Sequence, residues 1–92
     1  MRFEWDGRKA SLNERKHGVS FDLASLVFGD LNRTEEIDDV ISYDEERLIT
    51  TGAAAGKLLT VTYTLRAETI RIISARKATK HEQQNYHIQI GT

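Results

Sequence analysis

The sequence predicts an α+β domain, and three observations carry that prediction. The first third holds two capped helical segments, the second half changes to strings of β-branched residues, and a capping box then opens a last helix. At 92 residues, 39% hydrophobic and 29% charged, the chain reads as one globular domain, 1–92, near the lower end of sizes that fold on a single core.

Phe3 and Trp5 alternate with charged residues, which suits a short edge strand or an extended lead-in. Asp6 is placed to cap a helix running from about Gly7 to His17, and Gly18 supplies the left-handed residue that ends it. Lys16 and His17 sit favourably at the negative end of the helix dipole. Ser20 caps a second helix, S-F-D-L-A-S-L-V-F, whose Leu23, Ala24, Val27 and Phe28 recur at helical spacing and should face the core; Gly29 ends it. From Asn32 to Glu46 the pattern is acidic, with at most a short strand around Ile37 and an exposed loop over 38–46.

The segments R-L-I-T-T, K-L-L-T-V-T-Y-T-L-R and T-I-R-I-I-S-A-R then read as antiparallel strands. G-A-A-A-G connects the first two, and Ala67-Glu68 offers a tight turn before the third. That turn sets Thr64 opposite Arg71 and Tyr63 opposite Ile72. Leu59, Val61, Tyr63 and Leu65 would face the core, while Thr60, Thr62, Thr64 and Arg66 share a polar, basic face with Arg71. T-K-H-E places Thr79 at the cap and Glu82 at the third helical position of a last helix carrying Gln83, Tyr86 and His87. The expected architecture is two N-terminal helices, an antiparallel sheet of three to four strands and a C-terminal helix.

Composition excludes several chemistries. The absence of cysteine removes disulfides, thiolate catalysis and cysteine zinc sites. H-E-Q-Q-N lacks the second histidine of a zinc-protease helix, and G-A-A-A-G-K-L has the wrong spacing, with Leu58 where a phosphate loop needs a hydroxyl. Asp38, Asp39, Asp44, Glu45 and Glu46 read as a solvated acidic surface rather than a calcium loop. No cofactor or metal is expected. No apolar run is long enough to cross a bilayer, and M-R-F-E-W-D lacks the apolar stretch of a secretory signal, so a cytoplasmic protein is the expectation.

The formal net charge of -1 conceals segregation. Residues 21–46 carry nine acidic groups and one basic, whereas residues 47–92 carry seven basic and two acidic. Such a split can build an anion-binding face without an overall positive excess, unless the fold mixes the charges again. With hydroxyls, histidines and few aromatics beside it, that inventory suits a polyanion, RNA before DNA, because no helix carries the stripe expected for major-groove reading. RNA cleavage needs no metal, since the 2′-hydroxyl is an internal nucleophile and the protein must supply positive charge and proton transfer.

E-W-D at 4–6, Lys9, Asn13, K-H-G-V-S-F at 16–21, V-F-G-D at 27–30 and R-I-I-S-A-R-K-A at 71–78 together resemble the BrnT family, over nearly the whole chain. The resemblance implies a RelE-like fold and a ribonuclease toxin of a type II toxin–antitoxin system that cleaves RNA and arrests translation and growth. It also implies a BrnA-like antitoxin partner with a ribbon-helix-helix-like DNA-binding region, a two-plus-two heterotetramer and repression of the operon through that antitoxin. Arg71, Arg76 and Lys77 lie in the matching I-R-I-I-S-A-R-K segment, while Arg47 and Tyr86 match weaker signals on the first long strand and the last helix.

Arg71, Arg76 and His17 are therefore the candidate catalytic residues, and Arg47, Lys77 and Tyr86 the candidate RNA contacts. Each has a plain structural alternative. Arg71 could form a surface salt bridge, and Arg76 and Lys77 could solvate a strand end. His17 could merely terminate a helix, and Tyr86 could anchor one to the sheet. A non-catalytic module that acts by occupying nucleic acid or antitoxin is the competing function.

Overall fold

The computed structural model describes residues 1–39 and 45–91. Its α+β class is as expected, but the sheet has five strands and is mixed rather than purely antiparallel. In chain order the elements are β1 (Arg2–Glu4), α1 (Gly7–His17), α2 (Phe21–Ser25), a 3-10 turn (Leu26–Gly29), β2 (Thr34–Ile37), β3 (Leu48–Ala54), β4 (Lys57–Arg66), β5 (Thr69–Lys77) and α3 (Lys80–Gly91). The strand order is β1-β5-β4-β3-β2. β1 joins β5 in parallel, Arg2 facing Thr69 and Glu4 facing Arg71. A three-residue strand is too short to show a period, and its partner lies far along the chain, which is why the pairing is invisible to local reading.

The helix caps form as their chemistry dictates. The Asp6 carboxylate accepts from the amides of Arg8 at 2.8 Å and Lys9 at 3.1 Å. Gly18 takes φ 70° and returns its N–H to Glu14. Ser20 Oγ accepts from the Leu23 amide, but the helix it starts lasts five residues before tightening into the 3-10 turn that buries Val27 and Phe28.

Asn13 is the one buried residue of α1. Its carboxamide donates to the Ala75 carbonyl at 2.8 Å and accepts from the Ala75 amide at 3.1 Å, so it serves as a strand partner for β5 where β1 has ended. A second donation, to the Val19 carbonyl, ties in the segment leading to α2.

The core lies between the sheet and the α1–α2 layer. Phe28 meets Tyr63 edge-on at 4.9 Å and Phe3 at 5.5 Å, and Trp5 meets Phe21 edge-on at 5.9 Å. The expected register holds, with Tyr63 opposite Ile72 and Thr64 opposite Arg71. It then shifts: Thr62 faces Ser74, leaving Ile73 as a bulge. The bulge reverses side-chain parity, so Ile70, Ile72 and Ala75 all reach the core although their spacing is not a strict alternation.

The G-A-A-A-G segment is less of a connection than its composition suggests. Gly52, Ala53 and Ala54 extend β3, and the turn is Ala55–Gly56, both with positive φ. Residues 40–44, Asp44 among them, lie outside the described residues, so the exposed-loop expectation for 38–46 is tested only at its flanks and holds there for half of the positions. There Asp39 and Glu46 are exposed and Asp38 and Glu45 are half-buried.

Gly52 is a packing requirement, because a Cβ there would lie 2.9 Å from Val27 Cγ1 and from Arg33 Cβ. Gly52→Ala should therefore lower unfolding stability by about 1–3 kcal/mol. Urea melts that leave the two proteins within about 0.5 kcal/mol would show that the sheet moves aside freely.

Candidate functional site

The sheet face opposite the core carries Thr60, Thr62 and Thr64 on β4, and the bulge places both Arg71 and Arg76 of β5 on it. Five residues apart, the two arginines would point to opposite faces of an unbroken strand. The face is far more covered than its polarity suggests. Thr60 and Thr64 are only 2% and 1% exposed. Thr64 Oγ1 donates to the Glu46 carbonyl, and α3 lies over the other end.

Two clamps hold α3 there. In the first, Arg76 makes two parallel contacts to Glu82, at 2.8 and 2.9 Å. Glu82 Oε1 also accepts from Thr60 Oγ1 and from the Thr79 amide, so the expected capping box is fused to the sheet. The Arg76 hydrogen bonds hold the Glu82 carboxyl down at about 2 despite its burial, and the Arg76 guanidinium is raised in turn. In the second clamp the buried Tyr86 donates its hydroxyl to Asp30 Oδ2 at 2.6 Å. That bond, with burial, pushes the phenol up to about 12. Burial alone would raise the Asp30 carboxyl, but the Tyr86 hydroxyl and the amides of Ala53 and Asn32 outweigh it and hold it low.

These contacts sort the expected site residues. Arg71 is on the polar face, its side chain 27% exposed, with one ion pair to Glu4 at 3.4 Å. Arg76 is no free strand-end cation; it is the sheet half of a bidentate clamp. Tyr86 is a helix anchor, and its buried ring presents no stacking surface. Arg47 sits one residue before β3, 3.6 Å from Asp38, its Nε buried and without a hydrogen bond among the described residues. His17 ends α1 on the far side of β5, at the edge held by Asn13, so it does not join Arg71 and Arg76. Lys77 is exposed at the end of β5.

Lys77 also borders a feature that sequence reading missed, an open groove of about 560 Å³. Its walls are Lys57 and Leu58 at the start of β4, Lys77 and Ala78 after β5, and Gln83 and His87 one helical turn apart on α3. Gln83 and His87 stand four apart in the sequence, which is the single local signal; their meeting with Lys57 depends on where α3 docks. Among the described residues no group of three or more histidines, aspartates or glutamates gathers in a metal-binding arrangement, and no helix is long and apolar enough to cross a membrane.

Comparison with known families supplies the decisive observation. The model of the family described as "Ribonuclease toxin, BrnT, of type II toxin-antitoxin system" matches residues 5–82. The chain belongs to the BrnT family. The resemblance carried by K-H-G-V-S-F and R-I-I-S-A-R-K-A is thereby borne out, and the family names the activity as that of a ribonuclease toxin with an antitoxin partner. Comparison with curated proteins gives no significant match. The matched span includes Arg47, Arg71, Arg76, Lys77 and Lys57, and stops short of Tyr86 and His87.

The Glu82 clamp sets a pH-dependent term in the stability of this BrnT-family chain. Its carboxyl falls from an ordinary 4.5 to about 2, so the stabilisation is present above pH 4.5 and disappears as pH falls toward 2. Glu82→Gln should cost about 1–2 kcal/mol at pH 7. Denaturation curves for the two proteins should converge near pH 2. A constant difference across that range would mean that the ion pair contributes nothing.

Proposed function

We propose that the protein is a metal-independent endoribonuclease that cleaves RNA by attack of the 2′-hydroxyl and thereby stops translation and growth in the cytoplasm. The observation that carries this reading is the family match over residues 5–82. The concentration of basic side chains at the β4–β5–α3 end supports it. The RelE-like relationship and the BrnA-like antitoxin, with a two-plus-two assembly that binds operator DNA through the antitoxin, belong to the same proposal.

Arg71 is the arginine best suited to meet an RNA phosphate. Its pair with Glu4 is a single 3.4 Å contact on a half-exposed face, and such pairs contribute little. A phosphate can displace that contact at small cost and accept two parallel hydrogen bonds in exchange. Arg76 has the opposite character: freeing it would break two short bonds to Glu82 and loosen α3. We assign it to holding the site together, with Lys77 as an electrostatic contact and Arg47 a more distant one. His17, across β5, is retained as a proton-transfer candidate only if RNA wraps the β5 edge.

Purified protein should cleave a synthetic RNA in excess EDTA. Activity that vanished with chelator and returned with magnesium or zinc would overturn the metal-independent mechanism. Binding without any cleavage would favour action by occupancy.

Arg71→Ala should slow cleavage by roughly a hundredfold while changing stability by about 1 kcal/mol or less, and Arg71→Lys should restore part of the rate. Arg76→Ala, in contrast, should destabilise the fold by about 2 kcal/mol, because Glu82 is left half-buried without its partner. Equal melting temperatures for Arg76→Ala and the parent would refute the clamp.

A further inference from the structure

Among the described residues two grooves border α3, and their linings are electrostatic opposites. The smaller, about 80 Å³, is bordered by Glu35, Glu36 and Glu82 with Thr34, Thr51 and Asn85, a setting that repels phosphate. The larger, about 560 Å³, has no carboxylate in its lining and is bordered by two lysines and a histidine. Lys57 and Lys77 are both exposed, and neither forms an ion pair among the described residues. The arginines nearest in sequence, Arg66 and Arg76, are matched to Glu45 and Glu82.

The groove is also supported by rigid parts. Lys57 follows the Ala55–Gly56 turn, whose two positive φ values fix how β3 returns as β4. Leu59 pairs with Lys77, so Lys57 and Lys77 share one face of the β4–β5 ladder. The Ala78 amide donates to the Leu58 carbonyl, continuing the pairing past the strand end. Gln83 Nε2 donates to the Ala78 carbonyl at 3.1 Å and closes the wall against α3. His87 follows Tyr86, which is tied to Asp30, and the two rings meet edge-on at 5.5 Å. A volume of this size accommodates a ligand of about nucleotide dimensions.

We infer that this groove is the RNA-cleavage pocket, with Lys57 and Lys77 gripping the phosphodiester and His87 taking the proton of the attacking 2′-hydroxyl. The inference rests on the ribonuclease reading above and places the scissile phosphate in this groove; Arg71, six residues back along β5 and on the opposite face, then holds a flanking phosphate of the same strand. In the step assigned here, the 2′-oxygen forms a bond to phosphorus while His87 accepts its proton. The bond from phosphorus to the 5′-oxygen breaks, and that oxygen takes a proton from water or from the imidazolium. The products are a 2′,3′-cyclic phosphate and a 5′-hydroxyl end, with no co-reactant required. Two lysine ammoniums oppose the charge that builds on the phosphoryl oxygens, and imidazole is the side chain suited to proton transfer near neutral pH.

The test uses the purified full chain and a short single-stranded RNA, together with the same strand carrying 2′-deoxyribose so that binding is read without cleavage. Lys57→Ala/Lys77→Ala should weaken binding of the 2′-deoxy strand by tenfold or more. The slope of log affinity against log salt should become shallower by roughly 1 to 1.5, as expected for two lost phosphate contacts to a single strand. His87→Gln should bind like the parent and cleave about a hundredfold more slowly, with the acid-side limb of the pH–rate profile lost. Arg15→Ala, an exposed cation on α1, should change neither quantity.

If the parent cleaves RNA and the lysine and histidine variants match it, the groove is not the pocket, although the ribonuclease reading stands. If the parent neither binds nor cleaves any RNA, both readings fall together. Variants that bind and cleave RNA normally but lose capture by the co-expressed antitoxin would reassign the groove to the protein partner and overturn the inference.

Discussion

A single unpaired residue, Ile73, governs which side chains this sheet can use. Strand alternation would send Arg71 and Arg76 to opposite faces and would turn either Ala75 or the Ile70–Ile72 pair out of the core. The bulge at Ile73 resolves both conflicts at once, because one extra residue shifts parity for everything beyond it. Ala75 then packs fully buried, its backbone free on the outer side to meet the Asn13 carboxamide. Arg76 lands on the face where Thr60 and Glu82 wait for it. The docking of α1 at one edge and of α3 on the other face both follow from that local irregularity.

The attachment of α3 is polar rather than greasy. The helix is held to the sheet by a bidentate ion pair and a hydroxyl relay from Thr51 through Thr60 to Glu82, and to Asp30, just after the 3-10 turn, by a short tyrosine–aspartate bond. Directional bonds of this kind fix the orientation of a helix as well as its position. That suits an element whose exposed side chains must line a groove with groups from a hairpin turn and a strand end. The cost is that Arg76 and Tyr86, both attractive as RNA contacts by type, are committed to structure.

Charge segregation along the chain is only partly undone by folding. The acidic middle supplies Asp38 and Glu45 to Arg47 and Arg66, so part of the basic excess of the second half is spent internally. The four arginines of that half, Arg47, Arg66, Arg71 and Arg76, are all paired, as suits a planar fork that matches a carboxylate better than an ammonium does. Lys57 and Lys77 are left in water at the same end of the sheet. The residue type that pairs well is absorbed, and the type that stays solvated remains for an outside anion.

What the sequence determined by itself was set by neighbours a few residues apart. Asp6, Gly18, Ser20 and the Thr79–Glu82 box act over one helical turn, and Ala67-Glu68 set the β4–β5 register from its turn outward as far as Tyr63 and Ile72. The family itself was also legible, since its motifs are contiguous strings. The tertiary structure decided whatever depends on distant segments meeting. It turned Phe3 and its neighbours into a parallel strand beside β5 and inserted Asn13 as a substitute strand. It closed Glu82 onto Arg76 and set His87 across from Lys57. A side chain's type says which bonds it can make, but its availability is settled by which partner reaches it first. Here that partner arrives from as many as 67 positions away, as Glu4 does for Arg71.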